Sequence, residues 1–179
     1  MKGPFVLAAA LALLAGCGGS GNGTVAHVGD DTITQQQLDA VIAHFHTEAQ
    51  REGRTFPKEG TTAFEHSRND LLRLLVYRLE IEQAAGRLGV KVDPNEVTQR
   101  LSPNSGGETE GDPGGDTFAH DTVVTQLRYE AVFARVTKGV TGSTEAQRSA
   151  RRNRRMAEFV ARFERETKVR YEPGYAPGS

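Results

Sequence analysis

The chain has 179 residues, 37% of them hydrophobic and 25% charged, which is close to globular norms and enough for one modest core. Its formal net charge is −1, and arginine supplies 17 of the 22 basic residues, a bias that reads as genome composition rather than function. Cys17 is the single cysteine, so an intramolecular disulfide is excluded.

The chain opens with MKGPFVLAAALALLAGC. Lys2 supplies a positive start, and Phe5 to Ala15 form an unbroken apolar run. That run is too short for a permanent membrane span but suits the core of a signal peptide. Its end, Leu14-Ala15-Gly16-Cys17, resembles the lipobox of bacterial lipoproteins. There, small residues let an extended backbone enter a signal peptidase, and the thiol takes up a diacylglyceryl group. Residues 1–16 are therefore expected to be a lipoprotein signal peptide cut between Gly16 and Cys17. Removing 16 of the 179 residues leaves 163, with a formal charge of about −2. The competing reading is an ordinary signal peptide that happens to contain a cysteine. Against it stand the charge, the core length, the four-residue box and the Gly/Ser stretch directly after it. A lipidated Cys17 carries at least two acyl chains, enough for stable anchoring. Residues 17–24 form a flexible tether.

VAHVGDDTIT (25–34) reads as a short strand, a Gly-Asp turn and a second extended piece. Thr34 to Gln37 fits a capping box, with Thr34 accepting from the backbone and Gln37 reaching back. Leu38, Val41, Ile42, Phe45 and Ala49 follow at helical spacing until Gly53. Phe64 to Leu88 reads as a long helix. Its stretch 71–76 is apolar almost all round, which predicts the central, most buried helix. Gly89 closes it. Asp93 suits the next N-cap, Pro94 the first helical position and Glu96 the capping-box partner, in a short helix ending near Leu101. SPNSGGETEGDPGGD is rich in glycine and proline, and 102–117 is expected as a mobile loop. Val123 to Thr137 resumes helical spacing. The last helix runs from about Thr144 to Glu166, with Met156, Phe159, Val160 and Phe163 on one stripe. KVRYE (168–172) alternates as a strand. A lone strand at each end cannot satisfy its own backbone, so the simplest arrangement pairs the two.

Chemistry-bearing constellations are absent. His44 and His46 stand two apart on a helix and point to different faces, whereas a helical chelate needs a spacing of three or four. His27, His66 and His120 have no ligand-spaced companions. Glu80 with Glu82, and Asp30 with Asp31, read as helix-face and turn residues rather than acid/base pairs. Ser67 beside His66 is not a triad. No phosphate-binding glycine loop is found. The reading is therefore a non-enzyme with no cofactor and no metal site.

Taken in order, Ile33-Thr34, Leu38, Leu75-Val76, Ala84-Ala85, Leu88-Gly89-Val90 and Val92-Asp93 resemble the N-terminal domain of the SurA and PrsA group of extracytoplasmic chaperones. The ordered set covers about residues 25–137, and MAEFVARFERETKVRYEPGY resembles the group's C-terminal helix and closing strand. Gly29-Asp30-Asp31 departs from the usual Asn-Gly turn. In that group a parvulin-type prolyl isomerase domain of about a hundred residues sits between the two parts. Here only fourteen residues separate Thr141 from Met156. Gly114 to Phe118 faintly echoes a parvulin GGDLGF segment but lacks its flanking strands and histidine-bearing segment, so the isomerase is read as absent.

The resemblance implies a mainly α fold, a SurA N-terminal-like helical module closed by a small two-stranded pairing of the N- and C-terminal strands. The expected domain is 25–172, with 173–179 as a tail. The implied function is a holdase, lipid-anchored on the outer face of a bacterial membrane, that binds unfolded or nascent secreted polypeptides through an apolar helical cradle. Candidate client contacts are Phe45, Tyr77, Tyr129, Phe133, Phe159 and Phe163, although core packing is the ordinary role for such residues. The alternatives are a structural or assembly lipoprotein with one envelope partner, and a divergent peptidyl-prolyl isomerase. The run Arg148, Arg151, Arg152, Arg154 and Arg155 is not expected to bind nucleic acid in a secreted protein. It reads as the solvated first turns of the last helix, with Arg151, Arg152, Arg154 and Arg155 as candidate contacts to anionic lipid headgroups. Cys17→Ser is expected to release the protein from membranes without altering its melting curve. A membrane-bound Cys17→Ser protein in a fractionation experiment contradicts the anchor.

Overall fold

The structure, a computed structural model, describes residues 23–102 and 115–176. The expected signal peptide, Gly16, Cys17, most of the tether and residues 103–114 of the Gly/Pro-rich stretch lie outside them. The described elements are β1 (Thr24–Val28), β2 (Asp31–Thr34), α1 (Gln35–Arg51), α2 (Thr62–Arg87), α3 (Pro94–Leu101), α4 (Gly115–Val136), α5 (Glu145–Thr167) and β3 (Val169–Tyr171).

Local chemistry sets most of the boundaries. The Thr34 hydroxyl accepts from the Gln37 N–H, and the Gln37 side chain bonds the Thr34 backbone, completing the capping box at α1. Thr61 and Thr144 cap α2 and α5 in the same way, accepting from Phe64 and Gln147. At α3 the expected capping box is only half made. Asp93 accepts from Asn95 N at 2.9 Å, while the Glu96 carboxylate turns to Arg100, one turn on. An arginine at i+4 competes with the backbone N–H for that carboxylate. α1 and α2 close at Gly53 (φ 66°) and Gly89 (φ 64°), left-handed positions where glycine carries no Cβ penalty. α5 closes on Lys168 at φ 52°, the one non-glycine described in that region. This turn reverses the chain directly into β3.

α4 starts at Gly115, eight residues before the expected Val123, so the last three residues assigned to the mobile loop are helical. The extra turns carry little apolar periodicity. Their anchor is tertiary: the Phe118 ring stacks on His44 at 4.2 Å and meets Phe45 edge-on at 5.3 Å.

The expected pairing of the chain's two ends is present. β1 runs antiparallel to β3, with Ala26 opposite Tyr171 and Val28 opposite Val169. The sheet has three strands rather than two, in the order β2-β1-β3, because a turn at Gly29 (φ 61°) folds β2 back onto the other edge of β1. A bulge between Thr24 and Ala26 lets the adjacent Val25 and Ala26 both face inward. The chain past β3 stays attached. Arg68 donates to the Gly174 carbonyl at 2.6 Å, and the Tyr175 hydroxyl meets Gln35 Oε1 at 2.5 Å.

Two cores share α2. The first gathers Val25, Ala26, Val28, Ile33 and Leu38 around Leu72 and Val76, the front half of α2. The second gathers Val132, Met156 and Phe163 around Ala84 and Ala85, the back end of the same helix. α2 is thus the central helix, as the apolar stretch 71–76 predicts. Leu72 is fully buried, so Leu72→Ala is expected to cost about 2–5 kcal/mol in urea unfolding. A loss below ~1 kcal/mol contradicts its central place.

Candidate functional site

Between the two cores, one face of α2 is only partly covered: Tyr77 is exposed and Leu74 half-buried, while Ile81 and Ala84 are buried. Leu74, Tyr77, Ile81 and Ala84 recur there at three- and four-residue spacing and so form one stripe. α4 lies alongside with Thr122, Thr125, Gln126 and Tyr129. Two recesses open along this seam. One, of about 400 Å³, lies between α1, α2 and α4 and is lined by Phe45, Leu74, Tyr77, Phe118 and Tyr129 among others. The other, of about 90 Å³, lies between α2, α4 and α5, against Ile81, Met156, Phe159 and Phe163. Tyr77 and Tyr129 line both, which makes the pair one apolar groove.

These two tyrosines are also the large hydrophobic side chains left exposed among the described residues, Tyr77 at 43% and Tyr129 at 36%. The remaining candidate contacts divide by depth. Phe45 and Phe159 are half-buried on the lining. Phe133 is off the lining and lies beside Tyr129, the rings tilted by 34° with centroids 6.3 Å apart. Phe163 is buried at 6% exposure, with the Arg87 guanidinium over its ring at 4.6 Å. It is therefore floor and core, a correction to its expected place as an accessible contact, because the stripe it shares with Met156 faces the second core.

Phe118 is the aromatic lining residue that the sequence reading missed. Its signal lies in the spacing Phe118, Thr122, Thr125, Tyr129, which marks one helical face but holds only two apolar members. It closes one end of the groove together with Arg78, whose guanidinium lies over the ring at 4.3 Å and donates to Thr122 Oγ1 at 2.7 Å. Burial lowers the Arg78 pKa, opposed by nearby Asp121. At the other end stand two carboxylates, Glu80 on α2 and Glu164 on α5. Burial raises the Glu80 pKa, and repulsion from Glu164 adds to it. The Tyr77 phenol is raised by burial and then by Tyr129, so it stays neutral and offers an O–H at the rim.

The other sequence candidates fall elsewhere. Arg148 and Arg152 both pair with Glu145, at 2.8 and 2.7 Å, and Arg151 donates to the Thr141 carbonyl at 2.8 Å. They brace the turn before α5. Gly142 suits that turn because a Cβ there would lie 2.9 Å from the Arg148 nitrogen. Arg154 and Arg155 are exposed and make no ion pair among the described residues. His46 meets Phe56 edge-on at 5.8 Å while His44 stacks on Phe118, so the two diverge to different neighbours. No group of three metal-ligating side chains is found among the described residues. Asp31 accepts from Gln83 and Glu82 pairs with Arg128, the turn and helix-face roles expected of them. Gly115 to Phe118 form the first turn of α4. Among the described residues no helix is long and apolar enough to cross a membrane.

In comparison with known proteins, the family model of the SurA-like N-terminal domain matches residues 2–138. No curated protein and no solved structure gives a match.

Glu80 supplies a direct test of the groove's electrostatics. A carboxyl whose pKa is raised by folding weakens the fold where it is ionised, and that penalty disappears as pH falls through the raised value. Glu80→Gln is expected to raise the melting temperature by roughly 1–3 °C at neutral pH, with the gain shrinking on acidification. A gain independent of pH contradicts the assignment.

Proposed function

The chain belongs to the SurA-like N-terminal domain family, and we propose that it works as a membrane-anchored extracytoplasmic holdase for unfolded secreted or envelope proteins. Family membership supports the coarse part of this reading, a chaperone-like role outside the cytoplasm. The observation that carries the finer part is the groove between the two cores, with Tyr77 and Tyr129 exposed along it. A monomer leaves few large apolar groups in contact with water, and a continuous row of them marks a binding surface.

Its chemistry suits a holdase. Client side chains entering the groove release water from apolar surface, a gain of about 25 cal/mol per Å² that does not depend on sequence. Leu74, Ile81 and the ring faces accept varied shapes, while the tyrosine hydroxyls and Thr122 keep the rim wet. Binding is then broad and reversible, and no covalent step is needed. Cys17 would carry the acyl anchor, and residues 17–24 would give the module reach from the membrane. The unpaired cations Arg154 and Arg155 are the better placed of the four arginines for anionic headgroups, because Arg151 and Arg152 are already engaged. In this reading the chain acts without a parvulin domain.

The test is suppression of aggregation. The protein is expected to slow aggregation of several unrelated denatured proteins at near-stoichiometric ratios and to leave prolyl isomerisation of a peptide unaccelerated. Tyr77→Ser with Tyr129→Ser should weaken protection at least several-fold while the circular dichroism spectrum is kept. Undiminished protection in the double variant contradicts the groove. Protection of none, with tight binding to a single envelope protein, favours the specific-partner lipoprotein. Measurable isomerase turnover overturns the non-enzyme reading.

A further inference from the structure

The groove is not electrically even along its length. Tyr77, Ile81, Ala84, Tyr129, Met156, Phe159, Val160 and Phe163 give its α5 end an apolar lining, interrupted by two carboxylates; Arg87 and Arg162 stand over the Phe163 and Phe159 rings, at 4.6 and 6.0 Å. Glu80 comes from α2 and Glu164 from α5. Several other glutamates are matched with arginines: Glu82 with Arg128, Glu130 with Arg100, Glu145 with Arg148 and Arg152, Glu166 with Arg87. Among the described residues neither Glu80 nor Glu164 has such a partner, in a chain with 17 arginines. At the opposite end the charged lining residue is a cation, Arg78, engaged by the Phe118 ring and the Thr122 hydroxyl, with Asp121 nearby.

We propose that the groove prefers apolar client segments flanked by a lysine or arginine, with the Glu80 and Glu164 carboxylates receiving that cation at the α5 end. This rests on the holdase reading and adds a client class to it. An apolar segment alone fills the recess but leaves two like charges facing each other beside it, with less water around them than before. A flanking cation removes that cost, because opposite charge at short range offsets both the desolvation and the repulsion. The side chains of lysine and arginine fit the route. Their apolar stems can lie along Phe159 and Val160 while the charged head stays at the wet rim. Burial, and after it repulsion from Glu164, raises the Glu80 pKa, in keeping with this picture. A free metal ion fits less well, since no third ligating group stands with the two carboxylates among the described residues.

The test uses the purified full chain and three fluorescent peptides that share one apolar, aromatic core. They differ in a single flanking residue: lysine, glutamine or glutamate. The expected order of affinity is lysine, then glutamine, then glutamate, with about a fivefold step between the first two, the upper end for a solvent-accessible ion pair. Glu80→Gln with Glu164→Gln should flatten the series by tightening the glutamine- and glutamate-flanked peptides, which no longer bury two like charges. The glutamine-flanked peptide also separates the two proposals. If it binds and the series is flat in the unaltered chain, the charge preference is wrong and the holdase reading stands. If no peptide binds, the holdase reading fails and this inference with it. A series that survives the double substitution places the cation elsewhere and overturns the assignment. So does salt-sensitive self-association in sedimentation that peptide cannot displace, which would make a second copy the occupant.

Discussion

The structure depends on one helix having to serve two cores. α2 has 26 residues and therefore spans about 40 Å, longer than one small core can cover. Its front half is claimed by the sheet and α1, and its last turns by α4 and α5. Neither core covers every face of its middle, so Tyr77 stays exposed and Leu74 half-buried beside the buried Ile81. The groove is thus a consequence of the packing. Tyrosine suits such a site, because its ring adds apolar area and its hydroxyl tolerates water.

Holding the two cores in register falls to the small sheet. β1 is the central strand, and it bonds β2 on one edge and β3 on the other. β3 follows α5 after a single residue, Lys168, so the pairing that closes the chain also fixes where α5 lies against α2. Past β3, the contacts of Arg68 with Gly174 and of Tyr175 with Gln35 tie the last described residues to α2 and α1. The position of Phe159, Phe163 and Glu164 along the groove therefore depends on a strand of three residues more than 140 positions from its partner.

Much of this was legible in the residues. The caps at Thr34 and Asp93, the closing glycines 53 and 89, and the apolar run 71–76 announce their elements because they act within a turn or two of helix. The pairing of the ends followed from backbone satisfaction alone. What was not legible depends on contacts distant in sequence. The first turns of α4 are held by Phe118 against His44 and Arg78, and no local pattern encodes that. β2 gained strand pairing because the Gly29 turn laid it on a free edge. The candidate site divides in the same way. Helical spacing found the aromatic residues but could not separate exposed Tyr77 and Tyr129 from buried Phe163, since all three sit on apolar stripes. The arginine run, conspicuous in sequence, is largely spent on Glu145 and the turn before α5, while the carboxylates that line the groove, Glu80 and Glu164, carried no sequence signal of their own.

The central claim is that unfolded chains bind along the seam between α2, α4 and α5. The most direct measurement is site-specific photocrosslinking, with a photoreactive phenylalanine analogue placed at Tyr129, at Phe159 or, as an outward-facing control, at Arg154. With a denatured client present, crosslinks should form from positions 129 and 159 and be absent at 154. Crosslinks confined to position 154, or equal yield at all three, would contradict it.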